Sequence, residues 1–245
     1  MSTLNVNTVE PAGATLTIGA SGDTVKANDS VNVNTVKDAG GNTLWVSNGS
    51  GVLSSVSGFG DALVLLSTQT ASGDSSIDFS SGLDSTYKEY IFKVINCHPA
   101  STDQSLFFNG STDSGSSNAV KTTTMFNAYH RNDDGAALLT YDTGDDEAES
   151  TDPQLIIREV GFDDAVGNEK SGVAELHLFN PASTTYVKNW YSVGQSYGGD
   201  NTVSGYSWNV YAAGYFNTTS AIDWVTFHFG SGNVDYGIFK MWGVK

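Results

Sequence analysis

The chain has one cysteine, Cys97, in 245 residues, which excludes an intrachain disulfide. Its four histidines, His98, His130, His177 and His228, are scattered, with no i, i+4 pair and no H-E-x-x-H, so no zinc-type Cys/His cluster forms in the sequence. Basic residues are also scarce. Eleven Lys and Arg stand against 27 Asp and Glu, for a net charge of −16, and no basic stripe occurs anywhere. Phosphate and anionic headgroups are held by clustered positive charge, so neither a nucleic-acid partner nor a membrane surface is expected. No apolar run approaches the roughly 20 residues that span a bilayer. The opening Met1-Ser2-Thr3-Leu4-Asn5-Val6-Asn7 lacks the basic start and apolar core of a signal peptide. Synthesis is therefore expected in the cytoplasm, with later exposure reached by assembly or lysis. Proline is rare at four residues, while glycine reaches 27. With 39% hydrophobic and 11% aromatic residues, this composition belongs to a folded, turn-rich β protein rather than to a disordered chain.

The first 57 residues hold a repeat. Leu4-Asn5-Val6-Asn7-Thr8-Val9 recurs as Val31-Asn32-Val33-Asn34-Thr35-Val36, then Ala12-Gly13 as Ala39-Gly40 and Thr15-Leu16-Thr17-Ile18 as Thr43-Leu44-Trp45-Val46. Apolar and polar residues alternate in each copy, the period of a half-buried strand. Each copy reads as a short strand-turn-strand unit whose narrow apolar face needs neighbours, either adjacent repeats or the same segment of other chains. A simple meander packed on the main domain is the other reading. Gly49-Ser50-Gly51 and Gly58-Phe59-Gly60 mark a boundary, with 58–61 as a Gly-rich linker.

From residue 62 to 245 the strands lengthen and become aromatic. The alternation predicts ten: 62–69, 87–96, 104–109, 122–130, 154–160, 172–180, 186–194, 203–216, 221–229 and 234–242. No window has a helical period. The expected fold is all-β, a short N-terminal β-repeat segment followed by a jelly-roll-like β-sandwich. Val225, Phe227 and Phe229 share one face of their strand, and Ala174, Leu176 and Leu178 share one face of theirs. The opposite faces, with Trp224 and His228 or Val173 and Phe179, keep large apolar groups of their own, so a loop, the N-terminal segment or another subunit is expected to cover them.

Gly194-Gln195-Ser196-Tyr197-Gly198 matches the G-x-S-x-G pattern of a hydrolase nucleophile elbow. An elbow needs a following helix, whereas Gly199-Asp200-Asn201-Thr202 leads into another strand, so no catalytic residue is assigned. The run Asp145-Asp146-Glu147-Ala148-Glu149, flanked by Asp142 and Asp152, reads as a solvated loop; calcium is its alternative, although the spacing is not that of an EF-hand. Asp163-Asp164 is a weaker instance. No cofactor is expected. The stretch Trp190, Tyr191, Tyr197, Tyr206, Trp208, Tyr211, Tyr215 and Phe216 reads either as sandwich core or as a surface on which sugars or proteins stack. Its first five members are the surface candidates.

The opening Met1-Ser2-Thr3-Leu4-Asn5-Val6-Asn7-Thr8-Val9 resembles the start of fibre-like structural proteins of tailed bacteriophages, particularly those of marine bacteria. Ile77-Asp78-Phe79 through Leu83-Asp84-Ser85-Thr86-Tyr87-Lys88-Glu89-Tyr90-Ile91-Phe92 is similar to the first strands of a sandwich module in such proteins. So is Ser231-Gly232-Asn233-Val234 with Gly237-Ile238-Phe239-Lys240-Met241-Trp242-Gly243, where Met241-Trp242 stands for the Leu-Tyr of a Gly-x-x-x-Leu-Tyr-Gly pattern. The resemblance implies a virion protein without enzymatic activity: a tail fibre or adhesin component, or else a capsid decoration or head-fibre protein. A capsule depolymerase is the enzymatic rival, and an isolated sugar-binding module a fourth reading. Implied partners are further copies of the chain as a homotrimer, other virion proteins through residues 1–57, and a host glycan or surface protein.

Overall fold

The computed structural model describes residues 34–38, 40–47, 49–50, 53–56, 62–101, 103–160, 170–199 and 205–245. The first repeat copy, the 58–61 linker and Asp163-Asp164 lie outside them. By contact density the chain divides into Met1–Gly60 and Asp61–Lys245.

In the first unit, β1 (Thr35–Lys37), β2 (Thr43–Ser47) and β3 (Leu53–Val56) form an antiparallel sheet in that order. The second repeat copy is thus a hairpin, with Val36 opposite Trp45. Asp38 closes its turn by accepting from the backbone N–H of Asn42 at 2.8 Å, and Gly41 supplies a φ of 84°.

The second unit is a two-sheet antiparallel sandwich of jelly-roll type, with no helix among the described residues. Its strands are β4 (Leu63–Ala71), β5 (Ile77–Phe79), β6 (Glu89–Pro99), β7 (Gln104–Ser111), β8 (Lys121–Arg131), β9 (Ala137–Tyr141), β10 (Gln154–Val160), β11 (Gly172–Phe179), β12 (Lys188–Gly199), β13 (Gly205–Phe216), β14 (Trp224–Phe229) and β15 (Val234–Val244). Eight build one sheet in the order β4-β15-β6-β11-β12-β13-β8-β9, and four build the other, β10-β7-β14-β5. All ten strands anticipated from the alternation are present, with ends moved by up to five residues. Strands β5 and β9 were not among the ten: β5 is only three residues long, and Ala136-Ala137-Leu138-Leu139-Thr140-Tyr141 shows no period of two.

The inward faces follow the alternation. Ala174, Leu176 and Leu178 of β11 and Val225, Phe227 and Phe229 of β14 are buried. At the thick end of the core, the Phe227 ring lies 5.7 Å from those of both Phe92 and Phe239, with Phe79 at 6.2 Å. Such aromatic contacts add to simple area burial.

At the other end the sheets converge. The inward residues of β12 are Trp190, then Ser192, Gly194, Ser196 and Gly198, and β10 lies across this small-residue stripe. A Cβ on Gly194 would stand 1.9 Å from the Ile156 carbonyl oxygen, and one on Gly198 2.2 Å from that of Glu159. Glycine is required here because a backbone, not a side chain, occupies the space.

Candidate binding face

Cross-strand register aligns the outward residues of the eight-stranded sheet into rows. One runs Thr68, Lys240, Lys93, Glu175, Val193, Tyr211, Phe126, Tyr141, spanning every strand. The next runs Leu65, Trp242, Ile91, His177, Tyr191, Ala213, Thr124. Aromatic rings on neighbouring strands stack face to face: His177 on Tyr191 at 4.5 Å and 12°, and Tyr211 on Phe126 at 5.1 Å and 13°. Tyr191 and Tyr211 bridge the rows at 6.4 Å and 4°. The rings therefore stand upright like books on a shelf, with faces turned to one another and edges turned to solvent.

A compact charge network lies beside this ladder. His177 meets Glu89 through Nδ1 at 2.5 Å and Glu175 through Nε2 at 2.8 Å, while Glu175 also holds Lys93 at 2.9 Å. Both ring nitrogens of His177 thus face a carboxylate oxygen. Partial burial opposes the charge on Glu175, but Lys93 and His177 outweigh it and hold the carboxyl below its usual range. Burial and the nearby Glu89 push the Tyr191 phenol upward. A shallow cleft of about 290 Å³ opens beside the network, lined by Val173, Glu175, Val193 and Gln195.

The five surface candidates do not form one surface. Trp190 is corrected to a core residue: its inward register leaves it 2% exposed, with its ring edge on Phe108 at 4.7 Å. Tyr191 and Tyr197 lie on the outward face, the latter beneath the Lys170 ammonium at 5.1 Å. Tyr206 and Trp208 share the inward register of Val210 and pack with Tyr129, Trp208 lying 5.5 Å from the Arg158 guanidinium. Tyr211 of the longer aromatic stretch joins the ladder, whereas Phe216 is buried. His177 and Phe126 escaped the sequence reading because they lie far from that stretch, and only register brings them beside it.

The other motifs have structural partners. Gly194-Gln195-Ser196-Tyr197-Gly198 lies within β12, and the buried Ser196 hydroxyl donates to the Arg158 carbonyl. In the acidic loop, Asp142 and Asp145 both pair with Arg158, the former at 2.5 Å, and Asp146 accepts from the Tyr141 hydroxyl at 2.7 Å. Beneath the loop Lys121 is buried, its Nζ donating to Asn109 Oδ1 at 3.2 Å. Burial pulls its pKa down to about 8, against the raising pull of Glu147 and Asp152. Among the described residues no three His, Cys, Asp or Glu side chains gather as a metal site. No family model, curated protein or solved structure matches the chain.

Proposed function

We propose that the chain is a non-enzymatic structural protein of a tailed-phage virion, a tail-fibre or adhesin component joined to the particle through residues 1–57. The observation that carries this reading is the layout: a repeat-bearing β segment followed by a large sandwich, on which the fibre-like sequence resemblances fall at both the 77–92 and 231–243 strands. The functional unit of this reading is a homotrimer. Host contact, through a glycan or a surface protein, falls to the sandwich.

Deleting residues 1–57 is expected to leave a soluble, folded sandwich that no longer enters the particle. An insoluble fragment would refute the boundary, and normal incorporation would refute the attachment role. Electron microscopy of virions labelled with an antibody to this chain locates it. Label on the capsid would replace the tail reading with the decoration or head-fibre one. Sustained release of new reducing ends from host surface polysaccharide would overturn the non-enzymatic assignment.

A further inference from the structure

The outward face of the eight-stranded sheet carries a large share of the exposed apolar side chains, among them Leu65, Ile95, Val173, Val193, Phe126 at 43% and Leu139 at 71%. Exposed apolar side chains gathered on one face and set around a small charged network mark an interaction site. At about 4.8 Å between strands and 3.3 Å per residue, eight strands of some seven residues present a footprint of roughly 800 Å². That equals the share each partner contributes to a standard protein interface, about 800 Å².

Charge narrows the occupant. The outward strand positions hold three carboxylates, Glu89, Glu175 and Asp235, and two ammonium groups, Lys93 and Lys240, with His177 bound between Glu89 and Glu175 and His98 4.0 Å from Asp235. The face is thus close to neutral within a chain of net charge −16. Two copies that repel over the rest of their surfaces meet here at least electrostatic cost. Ring orientation bears on the same question. A sugar stacks on the face of an aromatic ring, and here Tyr191, Tyr211, Phe126 and His177 spend their faces on one another. What they offer is a flat ridge of ring edges flanked by aliphatic groups, the surface over which one sheet packs on another at about 10 Å.

We infer that the outward face of the eight-stranded sheet is a self-association surface, on which a second copy of this chain packs sheet to sheet. The contact uses residues of the sandwich alone, so it can fail while the virion assignment stands, and the reverse.

The test combines sedimentation of the full chain at micromolar concentration with hydroxyl-radical footprinting. Phe126 and Leu139 are expected to be shielded in a multimer, whereas Tyr186, 69% exposed in the loop that precedes β12, labels freely. Replacing Val193→Asp together with Phe126→Asp sets carboxylates against apolar surface and is expected to weaken association roughly a hundredfold or more and to unshield Leu139. Circular dichroism checks that the variant is folded; if it is not, the wild-type footprint decides alone. A monomeric chain overturns the proposal. So does a multimer in which Phe126 and Leu139 label as readily as Tyr186. Shielding that persists after dilution to monomer also overturns it, because the cover is then part of the same chain.

Discussion

Gly194 offers a sharp test of how the sandwich is closed. A methyl group there would lie 1.9 Å from the Ile156 carbonyl oxygen, with the Ile156 carbonyl carbon at 3.1 Å and Ile157 Cγ1 at 3.2 Å. No rotamer change relieves this, since the nearest atom is backbone. Strand β10 must retreat by roughly an ångström, and a gap of that size forfeits a quarter to a half of each dispersion contact lining it. Ile156 and Ile157, both fully buried, ride on that strand. Overpacking of a core costs about 1–3 kcal/mol, and a clash with backbone belongs at the upper end. For a domain of this size each kcal/mol lowers the melting temperature by about 2–4 °C, so Gly194→Ala is expected to melt about 6–12 °C below the wild type. Gly144→Ala is the control, because its Cβ would meet only Asp142 Oδ1 at 3.5 Å. Differential scanning calorimetry of the three proteins decides. If Gly194→Ala melts with the control, the close approach of β10 to β12 is wrong.

Three further outcomes are expected. Lys121 has its pKa lowered to about 8 in the fold, so between that value and its unfolded value of 10.5 the unfolded chain binds more protons. Stability should therefore gain a rising component with increasing pH across that window. Urea titrations at several pH values should show this component in the wild type and its loss in Lys121→Met. Burial pushes the Cys97 thiol up to about 12, so the native protein should resist a thiol-specific reagent at mildly alkaline pH and react fully once denatured; rapid native labelling would contradict the buried placement. Phe227→Ala removes a ring in contact with those of Phe92 and Phe239 and should cost about 3–5 kcal/mol, read as a lower urea midpoint.

The fold was legible where a strand had one wet face and was long enough to show its period; the three-residue β5 was not. Ala174, Leu176 and Leu178 alternate with Val173, Glu175 and His177, and both the strand and its inward face followed from that period. Strand β9 was hidden because Leu138 and Leu139 are both exposed at the sheet edge, where no buried face imposes alternation. The binding face was half legible. Tyr191 and Tyr197 could be named from aromatic density, but the same density drew in Trp190, and its inward position follows from parity with Ser192 and Gly194 in one strand. The ladder itself joins residues as far apart as Phe126 and Tyr211, and a sequence does not display the register that makes them neighbours. The Gly-x-Ser-x-Gly pattern misled for a related reason. Small residues spaced by two suit a catalytic turn and a closely crossed strand alike, and only the neighbouring backbone of β10 distinguishes them.

The place of β15 between β4 and β6 bears on the order in which the molecule can be made. During synthesis, β4 and β6 leave the ribosome some 140 to 170 residues before Val234–Val244, the strand that joins them. Until then β4, Leu-Val-Leu-Leu-Ser-Thr-Gln-Thr-Ala, has neither its one ladder partner, β15, nor a charged residue to discourage wrong pairing. Pairings so distant along the chain form slowly and leave apolar strands exposed while they wait. The large sheet is therefore completed only after translation has passed residue 244, and a ribosome that stalls earlier releases a chain whose stickiest strand is unpaired. Yield of soluble protein should accordingly depend more on how slowly the chain is produced than on how stable it is once folded.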